Sequence, residues 1–261
     1  MKNKYVLVIL ILISMTTLSF NVCSEDGNSP VSGSCAASGE GNTCHWEYDS
    51  STNTLTISGK GKMDDFQRSL EEYTTAPWYA YHNQISNVIV EDGITNVSQN
   101  AFALLTELKN VSLSPSVSEI GLGGFYYCQN LKNINLPENL QNIGVVAFTY
   151  SGLKSVDLPD NVLQVGTYAF ATSSLENITF SASTQLGKSV FWELGFAHPQ
   201  NKLRVYCKGD VKTCTEQIKN TNSVYPFKTD VKIYRSDHRI YTIDEANQDA
   251  GKINRISIKY R

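Results

Sequence analysis

Residues 131–148 read LKNINLPENLQNIGVVAF. The same pattern of apolar, polar and glycine positions returns along the chain. Its opening segment recurs at Leu108–Leu113, Leu131–Leu136, Leu153–Leu158 and Leu175–Phe180, and Ile85–Val90 precedes them in the same register. The starts are spaced by 23, 23, 22 and 22 residues. A second ladder follows each start: Phe102, Phe125, Phe148, Phe170 and Phe191. A third is Val97, Ile120, Ile143, Val165 and Leu186, with a glycine after every member but the first (Gly121, Gly144, Gly166, Gly187). Three ladders at one period over five copies predict a leucine-rich-repeat solenoid. A single copy cannot bury its own apolar residues. Stacked copies make one continuous core stabilised by contacts between neighbours. The opening segments are expected to be short parallel strands on one face, with irregular or short helical turns on the other. The recurrent glycine lets the backbone turn where a side chain would obstruct it, and Pro137 and Pro159 close their strands.

The ladders divide the chain into an N-terminal segment 1–24, a β-rich cap 25–84, a solenoid 85–206 of about five repeats of 21–23 residues, and a small α+β cap with a basic tail, 207–261. Lys2 and Lys4 precede an apolar run from Tyr5 to about Phe20, and Val22-Cys23-Ser24 offers a cleavage site, so residues 1–24 read as a signal peptide. The run is short for a membrane span, which needs about 20 apolar residues. The C-terminus is polar and basic, neither a membrane tail nor a lipid-anchor signal. The expected mature chain is secreted or peripherally attached to a cell surface, with no integral membrane segment.

Of the six cysteines, cleavage removes Cys23. Cys35 with Cys44, and Cys207 with Cys214, are each close enough to staple one end of the chain in an oxidising compartment. Cys128 is left over. Counted back from the next Leu, it shares its position with Leu105, Tyr150 and Thr172, so it reads as a small buried hydrophobe and not as a reactive thiol.

In the N-terminal cap, residues 55–57 alternate like a strand after the turn signal Asp49–Asn53. Trp46 and Trp78 read as aromatics packed on the first repeat. Leu203–Cys207 and Val231–Arg235 read as strands, Thr242 as the N-cap of a short helix running toward Asn247, and Ile253–Tyr260 as an alternating segment.

The pattern L-x-x-I-x-L-P-x-x-L-x-x-I-G-x-x-A-F, nearly complete in Leu131–Phe148, resembles the BspA-like, treponemal-type leucine-rich repeats, strongly over about 85–206 and more weakly in the N-terminal cap. Cys128 matches a cysteine common in that repeat. The resemblance implies a surface or secreted protein of a host-associated bacterium or parasitic protist, with a role in adhesion to host matrix, host cells or other microbes.

The expected function is therefore extracellular binding or adhesion through a repeat surface, with a host protein or glycan as partner. A self-associating coat or matrix protein is the alternative, and an enzyme with its site in a cap a more distant one. Residues between the inward Leu positions point outward in two columns: Asn87, Asn110, Asn133, Ser155 and Asn177, and Ile89, Ser112, Asn135, Asp157 and Thr179. These form the candidate ligand face; the competing explanation is that amides stack along the ladder with no ligand. Sequons stand at Asn96, Asn110 and Asn177, and sugar on Asn110 or Asn177 would stand on that face. The net charge of -3 gives no reason to expect nucleic acid. Residues 204–261 carry 12 Lys and Arg against 7 Asp and Glu, and residues 85–203 carry 5 against 9, so the tail is positive and the solenoid negative.

No catalytic group, metal site or cofactor is called for. Leu186–Ser189 looks like the end of a phosphate-binding loop, but the glycine that motif needs is Ala182, and the segment fits the repeat register. The adjacent acids Asp64-Asp65 and Glu71-Glu72 read as solvated loop residues.

Overall fold

The computed structural model describes residues 30–69, 73–194, 203–221, 231–234, 240–243 and 257–259. The signal-peptide reading of residues 1–24 lies outside them. Strands β1 (Val31–Ser34), β2 (His45–Asp49) and β3 (Thr54–Ser58) form the N-terminal cap. They pair antiparallel in that order, and β3 then pairs parallel with β4 (Asn87–Val90), the first repeat strand. The remaining strands come in two series, one per side of the coil. On one side, β4 is followed by β6 (Asn110–Leu113), β9 (Ser155–Asp157), β11 (Asn177–Ser181) and β13 (Arg204–Lys208). On another lie β5 (Asn96–Val97), β7 (Glu119–Ile120), β8 (Asn142–Ile143), β10 (Gln164–Val165) and β12 (Gln185–Leu186). All pairings within the second series are parallel.

This second sheet adds to the expected architecture of opening strands on one face and irregular turns away from them. A strand of two residues leaves no alternation to read, because one inward residue and one outward residue make no period. Its inward members are the third sequence ladder, Val97 to Leu186, all buried.

The third side holds turns in which the chain twice takes a left-handed backbone in each coil. One such position is Asn100, Gly123, Val146, Tyr168 and Ser189; the other, four residues on, is Leu104, Tyr127, Tyr150, Thr172 and Glu193. Amides on this side donate to the next coil, as Phe102 to Gly124, Phe125 to Ala147 and Phe148 to Ala169. Apart from residues 131–136, the backbone is bonded between coils on all three sides, as a buried backbone requires.

The five Phe residues are buried in a column between the sheets. Phe125 and Phe148 stack with centroids 5.3 Å apart and planes 3° apart, and Phe148 and Phe170 repeat that geometry. The column begins earlier than the Phe ladder. Trp78 lies 5.9 Å from Phe102, donates from its indole N–H to the Ala101 carbonyl (2.7 Å), and meets Trp46 and Phe66 edge-on. Trp78 therefore occupies a Phe position and starts the solenoid.

Two expectations need correction. The opening segment 131–136 forms no strand; it keeps a single bridge, Asn135 to Ser112, and the first face divides into β1-β2-β3-β4-β6 and β13-β11-β9. Pro137 supplies a reason. At the equivalent place Ser114 N–H donates to the Val90 carbonyl (3.1 Å), and proline has no hydrogen to give.

The second correction concerns Cys128. The buried position it holds is filled in neighbouring coils by Leu105, Ser151 and Ser173, not by Tyr150 and Thr172. The later coils are one residue shorter between the Phe and the next Leu. That deletion falls after the buried position, so counting back from Leu shifts the register. Cys128 Sγ donates to the Phe102 carbonyl (3.1 Å), and burial pushes its thiol far up from the usual cysteine range, leaving it neutral and inert. Ser173 Oγ donates to Phe170 (2.7 Å), whereas buried Ser151 Oγ finds no partner among the described residues. An unpaired buried hydroxyl costs about 1–3 kcal/mol. Ser151→Cys, which copies the solution at Cys128, is expected to add about 1 kcal/mol of stability, read as a higher urea midpoint at unchanged slope; a lower midpoint would show that Ser151 is satisfied in solution.

Both ends are stapled. Cys35 and Cys44 are bonded (Cα–Cα 5.0 Å), and so are Cys207 and Cys214 (5.9 Å). The second bond ties β13 to helix α1 (Val211–Asn220), which sequence reading missed. Asp210 caps it, accepting from Thr213 N–H (2.9 Å) and Thr213 Oγ (2.7 Å). Further on, β14 (Val231–Tyr234), β15 (Ile240–Ile243) and β16 (Ser257–Lys259) form an antiparallel sheet. Thr242 thus lies inside a strand, opposite Lys232 and Ser257, and not at a helix N-cap. Its β-branched, aromatic-rich segment pairs across strands, which outweighs the local capping signal. Residues 244–247 lie outside the described part.

Candidate binding surface

The strand face carries both predicted outward columns, in register. Asn87 pairs with Asn110, and Ser155 with Asn177; Ile89 pairs with Ser112, and Asp157 with Thr179. The caps lengthen both columns, with Thr54 and Arg204 at the ends of the first and Thr56 and Tyr206 at the ends of the second. Asn133 and Asn135 are exposed where the face divides.

Amide stacking accounts for one step of the first column. Asn110 Nδ2 donates to Asn87 Oδ1 (2.8 Å), while Asn87 Nδ2 donates to the Thr52 carbonyl (3.1 Å). At the other end Arg204 donates to Asn177 Oδ1 (3.4 Å). Charge is sparse and mostly paired. Lys208 reaches Asp160 (3.0 Å) and Asp157 (3.8 Å), and Lys154 reaches Glu176 (3.0 Å). Burial pulls the Lys208 ammonium down, but the hydrogen bond to Asp160 and the charges of Asp157, Asp160 and Glu138 hold it above the ordinary lysine value.

The three sequons differ in accessibility. Asn110 is exposed and Asn177 half-buried, both on the strand face. Asn96 is 8% exposed, and its side-chain oxygen accepts the Met63 N–H (2.9 Å). A strap of cap residues 62–68 lies across it: Ser98 Oγ donates to the Asp64 carbonyl, and Asn100 Nδ2 to the Phe66 carbonyl. The fold therefore buries Asn96 beneath the strap, a covering that a tripeptide motif does not encode.

A pocket of about 320 Å³ opens between that strap and the first coils, beside Lys62, Asp64, Asp65, Glu119 and Leu122. Its polar groups are largely engaged within the chain, Asp65 accepting from Gln99 N–H (3.0 Å) and Asn96 from Met63. Among the described residues no group of three or more His, Cys, Asp or Glu is placed to hold a metal, and no helix is long and apolar enough to cross a membrane. Leu186 and Gly187 of the phosphate-loop look-alike lie in and directly after β12, as repeat positions.

The turn side presents what sequence reading passed over. Tyr126, Tyr127, Tyr150, Tyr168 and Trp192 flank the buried Phe column on its outer side. Their signal was a run of large aromatics immediately around Phe positions whose own side chains were already assigned inward.

Residues 75–195 match six copies of the BspA type leucine rich repeat region. That is one copy more than the five copies counted from the ladders and begins ten residues before Ile85, in agreement with the place of Trp78 at the head of the column. Three solved structures resemble the chain. A leucine-rich repeat protein from Eubacterium ventriosum is 20% identical, with a TM-score of 0.58, over 82% of this chain and 48% of that one. A leucine rich cell surface protein from Faecalibacterium prausnitzii is 16% identical, with a TM-score of 0.45, over 84% and 60%. A leucine-rich repeat protein from T. pallidum is 19% identical, with a TM-score of 0.40, over 68% and 92%. The chain spans about half the length of the Eubacterium ventriosum protein, and their likeness is one of fold. No curated protein matches. The six matched copies and the coil they build make residues 75–195 a BspA type leucine-rich-repeat region.

Proposed function

We propose that this chain is an extracellular binding protein that presents its strand face to a protein or glycan ligand, on host matrix or a cell surface. The carrying observation is the pair of outward columns, in parallel register from Thr54 to Asn110 and from Ser155 to Arg204, and from Thr56 to Ser112 and from Asp157 to Tyr206, backed by a continuous core. Short, mostly uncharged side chains on a rigid face suit contacts built from many modest hydrogen bonds, because little side-chain entropy is lost when they are fixed. Two disulfides among the described residues support an oxidising compartment. The repeat is a binding scaffold, and the columns supply neither a nucleophile beside a base nor a metal-ligand set.

The purified chain lacking residues 1–24 would be panned against matrix proteins, mucins and an immobilised glycan panel. Capture is expected, and Ser112→Arg with Asn135→Arg, both on exposed positions, should weaken it at least tenfold while leaving thermal unfolding unchanged. Undiminished capture by the double variant would remove the strand face as the contact surface.

A further inference from the structure

We propose that the turn side carries a second binding surface, an aromatic stripe from Tyr126 through Tyr150 and Tyr168 to Trp192, which takes an extended, arginine-bearing segment of a partner protein. It rests on observations independent of the strand face.

The first is exposure. Tyr150 is 41% exposed, Tyr168 40% and Trp192 37%. The rings form two groups on successive coils: Tyr127 lies 5.4 Å and Tyr126 6.0 Å from Tyr150, and Tyr168 lies 6.4 Å from Trp192. Exposed apolar surface of this kind marks interaction sites, and Tyr and Trp are the residues that dominate protein contacts.

The second is backbone conformation. Tyr127, Tyr150 and Tyr168 are held at φ of 62°, 58° and 57°. Side chains with a Cβ resist that conformation, and Gly and Asn accept it best. The coil itself shows the easier solution, with Asn100 and Gly123 at the position Tyr168 occupies. The conformation belongs to the coil, since Leu104, Val146, Thr172, Ser189 and Glu193 share it, so it does not call for large rings, and their presence at exposed positions points to a use for the side chains.

The third is a cation already on the stripe. Arg68 of the cap places its guanidinium 4.1 Å from the centre of the Tyr126 ring. To do so it passes the first coil where that coil has only Ala103 at the equivalent position. Tyr126 thus demonstrates that this side accepts an arginine on a ring face. Among the described residues no cation lies over Tyr150, Tyr168 or Trp192. Charge favours the same partner, since residues 85–203 carry nine acids against five bases and Glu193 adjoins Trp192. Arginine is preferred to lysine because its planar, weakly hydrated group stacks on rings.

Spacing sets the shape of the partner. Coils in a parallel ladder lie about 4.8 Å apart, so three steps from Tyr126 to Trp192 cover roughly 14 Å. An extended chain advances about 3.3 Å per residue with alternate side chains on one face, so about five residues with arginine at every second place cover the stripe.

The test uses the chain lacking residues 1–24 and a fluorescent ten-residue peptide of alternating Arg and Ser, with Lys and Glu counterparts and a cello-hexaose as controls. Anisotropy should show the Arg peptide binding at least tenfold tighter than the other three. The triple variant Tyr150→Asn, Tyr168→Asn, Trp192→Ser should lose at least tenfold of that affinity while its Tm holds or rises, because two strained positions gain Asn. Ser112→Arg on the strand face should leave peptide binding unchanged, so that failure of either surface is read separately. Equal binding by the triple variant, or tighter binding of the hexaose or the Glu peptide, overturns the proposal. A triple variant whose Tm falls would overturn it as well, by showing that the rings serve the fold.

Discussion

Replacing Phe148 by alanine is expected to cost about 3–5 kcal/mol, the range for removing a large aromatic from a close-packed interior. The position is the severest test of the column. Phe148 is fully buried and lies between Phe125 and Phe170, stacked on both at 5.3 Å. The two rings left behind belong to separate coils whose backbones are held by their own ladders on three sides. Neither can move to fill the gap without breaking hydrogen bonds such as Phe148 N–H to Ala169. The cavity therefore persists, and its walls lose their contacts. Stability in a solenoid is close to a sum of neighbour terms, so a cut in the middle also uncouples its two halves. Urea unfolding followed by circular dichroism should show a lower midpoint and a broadened or two-step transition. Phe148→Leu should cost less, since it keeps most of the volume. A loss below about 1 kcal/mol for Phe148→Ala, which is smaller than any core aromatic truncation in that range, would show that the column is not a packed core.

Gly144→Ala is expected to be nearly as damaging for one added methyl. A Cβ at Gly144 would stand 2.5 Å from the Gly121 carbonyl carbon and 2.6 Å from the Leu122 nitrogen. Both are backbone atoms of the preceding coil, so no side chain can swing away. Gly187 meets Gly166 and Thr167 backbone in the same manner, and the glycines are thus the line along which successive coils touch. Relief would need separation of the coils at the Gly144 N–H to Ile120 carbonyl bond (2.7 Å). Overpacking typically costs about 1–3 kcal/mol, and clash with backbone puts this case at the upper end, about 3 kcal/mol. Thermal unfolding of Gly144→Ala beside Gly41→Ala would measure it. Gly41 has nothing within 4 Å of its added Cβ, although its φ of 77° still disfavours a side chain. A Gly144→Ala protein no less stable than Gly41→Ala would contradict coil contact through glycine.

That comparison also shows how far a local reading reaches. The sequence names Gly121, Gly144, Gly166 and Gly187 as special, and suggests a turning backbone as the reason. The structure keeps the positions and changes the cause, because these four are not in the left-handed region. They are glycine because another coil is there. The residues that do turn left-handed are mostly not glycine, as Val146, Tyr150 and Tyr168 show. A conformational outlier filled by an unlikely residue leaves no trace in a sequence pattern.

The candidate surfaces divide along the same line. The strand columns were legible because alternation about fixed Leu positions assigns each residue to a face. The aromatic stripe was not, because its members sit one or two residues from Phe on turns, where no simple period separates outward from inward. Tyr150 is the clearest case. Counting from Leu placed it with buried Cys128; the backbone places Ser151 there and turns Tyr150 to solvent. Asn96 shows the reverse, a residue that a motif singles out and a distant strap buries.

The order and spacing of apolar residues determined by themselves that this chain coils, how many residues make a turn, which side chains enter the core and which cysteines staple the ends. Those properties follow from a repeat that must match itself at every step, so each copy carries the information for its neighbours. The tertiary structure alone decided what happens where unlike segments meet: the second sheet, the break at Pro137, the strap over Asn96, Trp78 in a Phe place, and Arg68 lying on Tyr126. These depend on distances between residues far apart in the chain, set by backbone bonds between coils, and no local pattern records them.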